Sequence, residues 1–285
     1  MSPTAPRLPA LLVWVTGLLA LAMLAWGLGT GAAVPGAEQR DDANLIATRG
    51  DTPVDRWIVA HVDTKAQGHS MAGRLGAVWV LVATILTGTA LALFRALAGP
   101  PATAVVAGFA GMSLAAGLLA RRSRLRGNTV GARDNGTGLL AALVAAERST
   151  EARVGFLFTG AEEFGLVGAR IAAEGGLAGP GAEVVNLDTL DQVGRLYLVH
   201  HGGPGKGLAE RLRPLVAGIA PETRVRRLPM GILTDSLPFA RRGVAAVTIG
   251  RLDWSTLRRI HTAGDTPDGL ELTTALAVGE AVLRR

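Results

Sequence analysis

Three long stretches within the first 120 residues contain no charged side chain and dominate the hydrophobic pattern of this 285-residue chain. They are residues 8–34, 75–94 and 102–120. Each has about the 20 apolar residues that an α-helix needs to cross the hydrocarbon core of a bilayer. We therefore predict transmembrane helices at residues 8–34, 75–97 and 102–120. A cleaved signal peptide is the alternative for the first segment, and buried Ala/Gly-rich core helices are the alternative for the other two.

The remaining sequence is long enough for one sizeable domain, of roughly 210 residues. It comes in two parts, residues 35–74 and 121–285, separated by the second and third apolar segments. Because a two-helix hairpin returns the chain to the side that it left, both parts are expected to belong to one fold. Only 13 residues separate His61 from Leu75, and 13 separate Ala120 from Asp134. These short tethers predict that any site near His61 and Asp134 lies close to the bilayer surface.

The pattern outside the apolar segments alternates between short strands and amphipathic helices. We predict strands at Ala43–Thr48, Trp57–His61, Val154–Phe158, Val184–Leu187, Leu196–Val199 and Ala245–Ile249. We predict helices at Gly136–Arg148, Phe164–Glu174, Pro204–Ile219 and Pro267–Leu283. This alternation indicates an α/β fold with a mostly parallel central sheet and helices on both faces. In such sheets, binding sites lie at the carboxyl ends of the strands.

Composition narrows the class of protein further. Apolar residues make up 49% of the chain and charged residues only 18%, which excludes intrinsic disorder and a wholly soluble domain. The absence of Cys excludes a thiol nucleophile and any Cys-ligated metal site. The net charge of +6 suggests binding to nucleic acid. Aromatic residues are only 4% of the chain, however, so the chain lacks an aromatic-basic platform for such binding. We predict no nucleic-acid partner.

Polar residues cluster where the predicted strands end or the predicted helices begin. The clusters are His61-Val62-Asp63, Asp134-Asn135, Glu162-Glu163, Asn186-Leu187-Asp188 and His261-Thr262. Each alone has an ordinary explanation, such as a helix N-cap or a solvated pair in a first helical turn. Together at one sheet edge, the carboxylates would need cations beside them, and two divalent metals would supply that charge. Ligands of the His and Asp/Glu type without Cys suit Zn²⁺ in a hydrolytic site.

The ordered motifs resemble the co-catalytic zinc exopeptidases typified by bacterial leucyl aminopeptidase and glutamate carboxypeptidase. The resemblance runs from about Ala43 to the C-terminus and omits the hairpin, which is foreign to the soluble members. The stretches that carry it read AHVDT (60–64), GARDNGTG (131–138), GAEEFGLVG (160–168), NLD (186–188), TDSLPF (234–239) with GVA (243–245), and IHTAGDT (260–266).

This resemblance implies a centre with two Zn²⁺ ions per chain. It implies that His61 and Asp188 bind one ion, that Glu163 and His261 bind the other, and that Asp134 bridges the pair. Glu162 is then the general base, and Asp63 orients His61 through the second ring nitrogen. The resemblance implies a role for Asp235 less directly, because the role of the family residue at this position varies. His69, His200 and His201 match no ligand position and are expected to be loop residues.

The implied activity is that of a membrane-anchored zinc aminopeptidase acting on peptides, with the lipid bilayer as its other partner. The alternatives are a carboxypeptidase, a relative of glutaminyl cyclase, or a non-catalytic membrane scaffold of the same fold. The complete set of five ligands argues against the one-metal enzyme and the scaffold. The charges that flank the membrane segments give conflicting predictions for the side of the membrane on which the catalytic domain lies. Four arginines directly after the third segment favour the cytoplasm: Arg121, Arg122, Arg124 and Arg126. The family and the flanks of the first segment favour an extracytoplasmic catalytic domain in a multi-pass protein of the cell membrane.

Overall fold

The computed structural model describes residues 12, 14–19, 21–23, 41–229 and 231–284. The chain divides into two compact units. One unit comprises residues 1–39 and 73–124, and the other comprises residues 40–72 and 125–285. The second unit is thus assembled from two separate stretches of the chain.

The first unit contains two long apolar helices, α1 (Met71–Ala98) and α2 (Thr103–Arg122). At 1.5 Å per residue, each is at least about 30 Å long, the thickness of a hydrocarbon core. Within the described part of the chain, these two helices are long and apolar enough to cross a membrane. They correspond to the segments predicted at 75–97 and 102–120. Most of the segment predicted at 8–34 lies outside the described residues, so a third span stays a prediction.

The second unit is built on a mixed sheet of seven strands. They are β1 (Leu45–Ala47), β2 (Arg56–His61), β3 (Val154–Thr159), β4 (Glu183–Asp188), β5 (Leu196–His200), β6 (Arg224–Arg227) and β7 (Ala245–Arg251). Their order in the sheet is β1-β3-β2-β4-β7-β5-β6. The pairs β2–β3, β2–β4, β4–β7 and β5–β6 are parallel, and β1–β3 and β5–β7 are antiparallel. The prediction of a mostly parallel α/β sheet is confirmed.

Six helices follow in the second unit. They are α3 (Gly138–Arg148), α4 (Val167–Glu174), α5 (Gly203–Ala217), α6 (Ser236–Arg241), α7 (Trp254–Leu257) and α8 (Thr273–Ala281). The face covered by α3, α5 and α8 buries a large core that includes Ile58, Phe158 and Leu198. The opposite face, covered by α4 and α6, buries a smaller core around Leu157 and Phe239. Helices therefore pack on both faces of the sheet, as predicted.

The predicted elements differ from the observed ones mainly where apolar residues are scarce. Strand β6 was not predicted, because its sequence Arg-Val-Arg-Arg has no apolar alternation and lies mostly exposed at the sheet edge. The short helices α6 and α7 were also not predicted, since six and four residues are too few to show helical periodicity. The last helix begins at Thr273 and not at Pro267, where a turn closed by a hydrogen bond from Leu270 N to Pro267 O stands instead.

Candidate metal centre

The structure brings all five predicted ligands to one edge of the sheet. His61 and Asp188 are the last residues of β2 and β4, which are neighbouring parallel strands. Asp134 lies in a kinked turn, Ala132–Thr137, directly before α3, and its own backbone angles are not helical. Glu163 follows β3, and His261 lies in the loop after α7. The parallel strands end side by side, and this places their terminal polar residues in one cluster.

The carboxylate of Asp134 is shared between two groups of ligands. Its Oδ1 lies 3.3 Å from His61 Nε2, and its Oδ2 lies 3.2 Å from His261 Nε2. Asp188 Oδ1 is 4.0 Å from His61 Nε2, and Glu163 Oε2 is 3.1 Å from His261 Nε2. The ligand atoms within each group of three lie no more than 4.8 Å apart. Ligands at about 2.0–2.2 Å from a tetrahedral zinc ion are spaced by roughly 3.4 Å, so both groups fit such an ion.

One buried polar atom of the cluster also fits a bound cation. Glu163 Oε1 is buried without a hydrogen-bond partner among the described residues. A buried polar atom without a partner is costly and calls for a ligand. An acceptor-only carboxylate oxygen in that position is the type of atom that Zn²⁺ binds.

His61 is oriented by the backbone that follows it. Its Nδ1 lies 3.0 Å from the carbonyl oxygen of Asp63 and 3.7 Å from the Asp63 carboxylate. Because a carbonyl oxygen only accepts hydrogen bonds, Nδ1 carries a proton, and Nε2, which faces Asp134, is the nitrogen that would bind a metal. Asp63 therefore contacts the second ring nitrogen of His61 through its backbone carbonyl, and its carboxylate lies farther from the same nitrogen.

The side chain of Asp63 instead holds the turn that carries the two glutamates. Its Oδ1 accepts a hydrogen bond from Glu162 N at 3.0 Å, and its Oδ2 accepts one from Glu163 N at 3.1 Å. These bonds fix the backbone of Glu162 and Glu163 relative to the end of β2. Asp63 thus links His61 to the glutamate pair.

Asp265 is a supporting residue that the sequence analysis did not identify. It is 1% exposed, and its carboxylate accepts hydrogen bonds from Arg133 N at 2.9 Å and from Asp134 N at 3.1 Å. These bonds hold the turn that presents the shared carboxylate. The signal was present in the sequence, because Asp265 lies four residues after His261 in the stretch IHTAGDT.

The charge of the cluster raises the pKa values of several carboxyl groups. Burial, with Asp235, Glu163 and Asp188 nearby, raises the pKa of Glu162 well above its usual value, against the opposing effect of His61. Burial raises the pKa of Asp188 to about 6 and that of Asp235 to about 7, in both cases against the effect of His61. More negative charge is therefore gathered here than the side chains alone can neutralise.

The pKa values of the two histidines are also raised, but here the cause is the neighbouring carboxylates and burial opposes the shift. Burial lowers the pKa of His61, but Glu162, Asp134 and Asp63 outweigh it and hold that pKa well above its usual value. Burial also opposes protonation of His261, whose pKa is nevertheless raised to about 9 by Asp134 and Glu163. Hydrogen bonds from both histidines hold the pKa of Asp134 well below its usual value, against the effect of burial. In the absence of metal, protons thus take the place of cations on the two imidazoles.

The other residues considered from the sequence lie outside the two ligand groups. Asp235 is fully buried and accepts a hydrogen bond from Thr159 Oγ1. His201 Nε2 lies 2.8 Å from Ser236 Oγ. The expectation that His200 is a loop residue is wrong: it is the last residue of β5, and its Nδ1 accepts a hydrogen bond from Gly202 N. His69 precedes α1 and belongs to neither group. The five predicted ligands are the members of the two groups found within the described residues.

The fold and the cluster define an α/β protein with a candidate two-metal centre at the carboxyl ends of parallel strands. Comparison with family models identifies the chain as a member of Peptidase family M28, matched over residues 115–284. This match confirms the resemblance to di-zinc exopeptidases. The comparison with curated proteins gives no match.

Solved structures share the fold at low sequence identity. The Legionella pneumophila LapA aminopeptidase matches with a TM-score of 0.52 and 18% identity, over 84% of this chain and 53% of that one. LapB from Legionella pneumophila matches with a TM-score of 0.54 and 18% identity over the same shares. A glutaminyl cyclase from Bacteroides thetaiotaomicron matches with a TM-score of 0.50 and 15% identity, over 84% of this chain and 75% of that one. The chain thus spans about half the length of the two Legionella proteins.

Proposed function

We propose that the protein is a zinc-dependent aminopeptidase that hydrolyses N-terminal peptide bonds with a bridged two-zinc centre. In this proposal, His61 and Asp188 hold one ion, Glu163 and His261 hold the other, and Asp134 bridges them. The observation that carries the proposal is that the two oxygens of Asp134 face different histidines, at 3.3 and 3.2 Å. A carboxylate used in this way is typical of two-metal hydrolytic sites.

Glu162 is the proposed general base. It belongs to neither ligand group, although the adjacent Glu163 does, and its side chain is buried beside the cluster. Its raised pKa makes its carboxylate a stronger base, suited to take a proton from the attacking water and pass it to the leaving amine. The two zinc ions would supply the Lewis acid that polarises the scissile carbonyl and the site at which the water becomes more acidic.

Two further carboxylates position this machinery. Asp63 holds the backbone of Glu162 and Glu163, and Asp265 holds the backbone of Asp134. Neither belongs to a ligand group of the described residues. We assign both as positioning residues, because each fixes a segment that carries a ligand or the base.

We also propose that α1 and α2 anchor the protein in the lipid bilayer as parts of a multi-pass membrane protein. Their length and apolar composition support this, and large apolar side chains on both helices, such as Leu86 and Leu114, are exposed. The catalytic unit is then expected to face the extracytoplasmic side, with peptides as substrates. A reporter fused at the C-terminus tests this orientation, and reporter activity confined to the cytoplasm would contradict it.

The activity is tested with detergent-purified protein and a panel of substrates. Aminoacyl reporters with a free amine should be hydrolysed, and the same reporters with an acetylated amine should not. The panel also includes C-terminal reporters and N-terminal glutaminyl peptides. Zinc binding without turnover of any free-amine reporter would contradict the aminopeptidase and favour the carboxypeptidase or glutaminyl cyclase type. Absence of both zinc and turnover would favour the scaffold.

A further inference from the structure

A buried lysine touches one half of the candidate metal centre. Lys65, one of only two lysines in the chain, is 7% exposed. Its Nζ lies 2.8 Å from Glu163 Oε2 and donates a second hydrogen bond to the Glu163 carbonyl oxygen at 2.8 Å. The side chain of Glu163 is itself only 3% exposed. The ammonium group therefore forms a buried ion pair with a proposed metal ligand.

The ion pair involves the oxygen that faces the second histidine. Glu163 Oε2 lies 3.1 Å from His261 Nε2 and 2.8 Å from Lys65 Nζ. A dication bound at Glu163 Oε2 would therefore share this oxygen with the ammonium or displace it, and one bound at the unpartnered Oε1 would still lie a few ångströms from the ammonium. The half formed by His61 and Asp188 has no lysine or arginine among its ion pairs in the described residues.

We propose that Lys65 makes the Glu163–His261 half the weaker of the two zinc sites, so that the His61–Asp188 half fills first. Two effects act in this direction. The ammonium repels a dication a few ångströms away, and it also neutralises part of the charge on Glu163. When the second site is empty, the same ion pair holds Glu163 in place. This inference rests on the proposed two-zinc function and adds an order of filling to it.

The order of filling is measured by titrating zinc into metal-free, detergent-solubilised full-length protein against a chromophoric chelator. We expect two classes of site whose dissociation constants differ by at least about tenfold, the effect of one nearby charge. Lys65→Met, which removes the charge and keeps most of the side-chain volume, should tighten the weaker class by about tenfold and leave the tighter class unchanged. Lys206→Met, at the exposed second lysine, is the matched control and should change neither class.

Two ligand variants assign the classes to the two halves. His261→Gln should remove the weaker class, and Asp188→Asn should remove the tighter one. Equal affinities in the wild type, or a weaker second class in Lys65→Met, would overturn the inference. The difference between the two dissociation constants of the wild type tests the inference even if Lys65→Met does not fold. Lys65→Arg keeps the charge and should leave the dissociation constant of the weaker class unchanged. A wild type that binds no zinc would refute the proposed function itself.

Discussion

The raised pKa of His261 predicts how the stability of the metal-free protein depends on pH. His261 has a pKa of about 9 in the folded protein and about 6.5 when unfolded. The folded state therefore binds the proton more tightly, and the resulting stabilisation is complete below pH 6.5 and lost as the pH rises to 9. At about 1.4 kcal/mol per pH unit, this single group accounts for a loss of about 3 kcal/mol over that range. His61 acts in the same direction, since its pKa is also raised.

The assay is urea unfolding of the chelator-treated protein in detergent, followed by tryptophan fluorescence between pH 6.5 and 9. His261→Gln should flatten the pH dependence by about 3 kcal/mol relative to wild type, because it removes the group that titrates. His200→Gln is the matched control. The pKa of His200 is lowered by burial, so this histidine does not bind a proton more tightly in the folded state and its loss should not flatten the slope.

Zinc should abolish the same pH dependence. A histidine that binds zinc gives up its proton, so the two histidines of the loaded folded state no longer bind more protons than they do in the unfolded state. An equally steep loss of stability in wild type and His261→Gln would refute the reasoning. It would mean that His261 is not held among the carboxylates of Asp134 and Glu163.

Three further substitutions test separate parts of the structure. Glu162→Gln should lower kcat by about 10²–10⁴-fold with zinc content unchanged, and unchanged turnover would exclude it as the base. Asp265→Asn should weaken zinc binding by about 10–100-fold, because the amide no longer accepts both backbone hydrogen bonds. Competition with a chelator measures the zinc affinity, and a variant that binds zinc as tightly as wild type would contradict this role of Asp265. Phe239→Ala, at a side chain with 0% exposure, should cost about 3–5 kcal/mol in urea unfolding, and a cost below about 1 kcal/mol would contradict tight packing.

The buried strands could be predicted from the sequence because they are almost continuously apolar. The strands β2 and β3 read RWIVAH and VGFLFT, are buried along their whole length, and begin or end within one residue of the predicted bounds. Strand β6 could not be predicted in this way. Its four residues pair with β5 at the sheet edge, where Tyr197 lies opposite Arg224, and this pairing depends on the tertiary structure and not on an apolar pattern.

The clustering of polar residues was predictable for a related reason, namely that several of them follow the ends of parallel strands, whereas the individual ligand roles were implied by the family resemblance. His61 and Asp188 end adjacent strands, so their proximity follows from the topology. Lys65 and Asp265 do not lie directly after the end of a parallel strand, so this pattern did not mark them. Each lies in a loop, and its role depends on contacts with residues about 100 or more positions away in the chain. Spacing in the sequence does not show which loops approach one another.

Close packing adds a constraint that the sequence pattern alone does not reveal. A Cβ on Gly279 of α8 would lie 2.4 Å from the Ala141 carbonyl oxygen of α3, so the two helices approach closely at this point. Residues Ala141, Ala145 and Ala275 are fully buried along the same face. Small residues at these positions allow α3 to hold the turn that carries Asp134, which lies directly before it.

The measurement that tests the two-metal centre most directly is the zinc content of wild type, Asp134→Asn and Asp188→Asn, determined by mass spectrometry after dialysis. Because both ligand groups include Asp134, its variant should retain no zinc at a concentration where wild type holds two ions per chain. Asp188 belongs to one group only, so its variant should retain one ion. A wild type with no zinc, or an Asp134→Asn protein that still holds two, would contradict the account of a shared carboxylate between two metals.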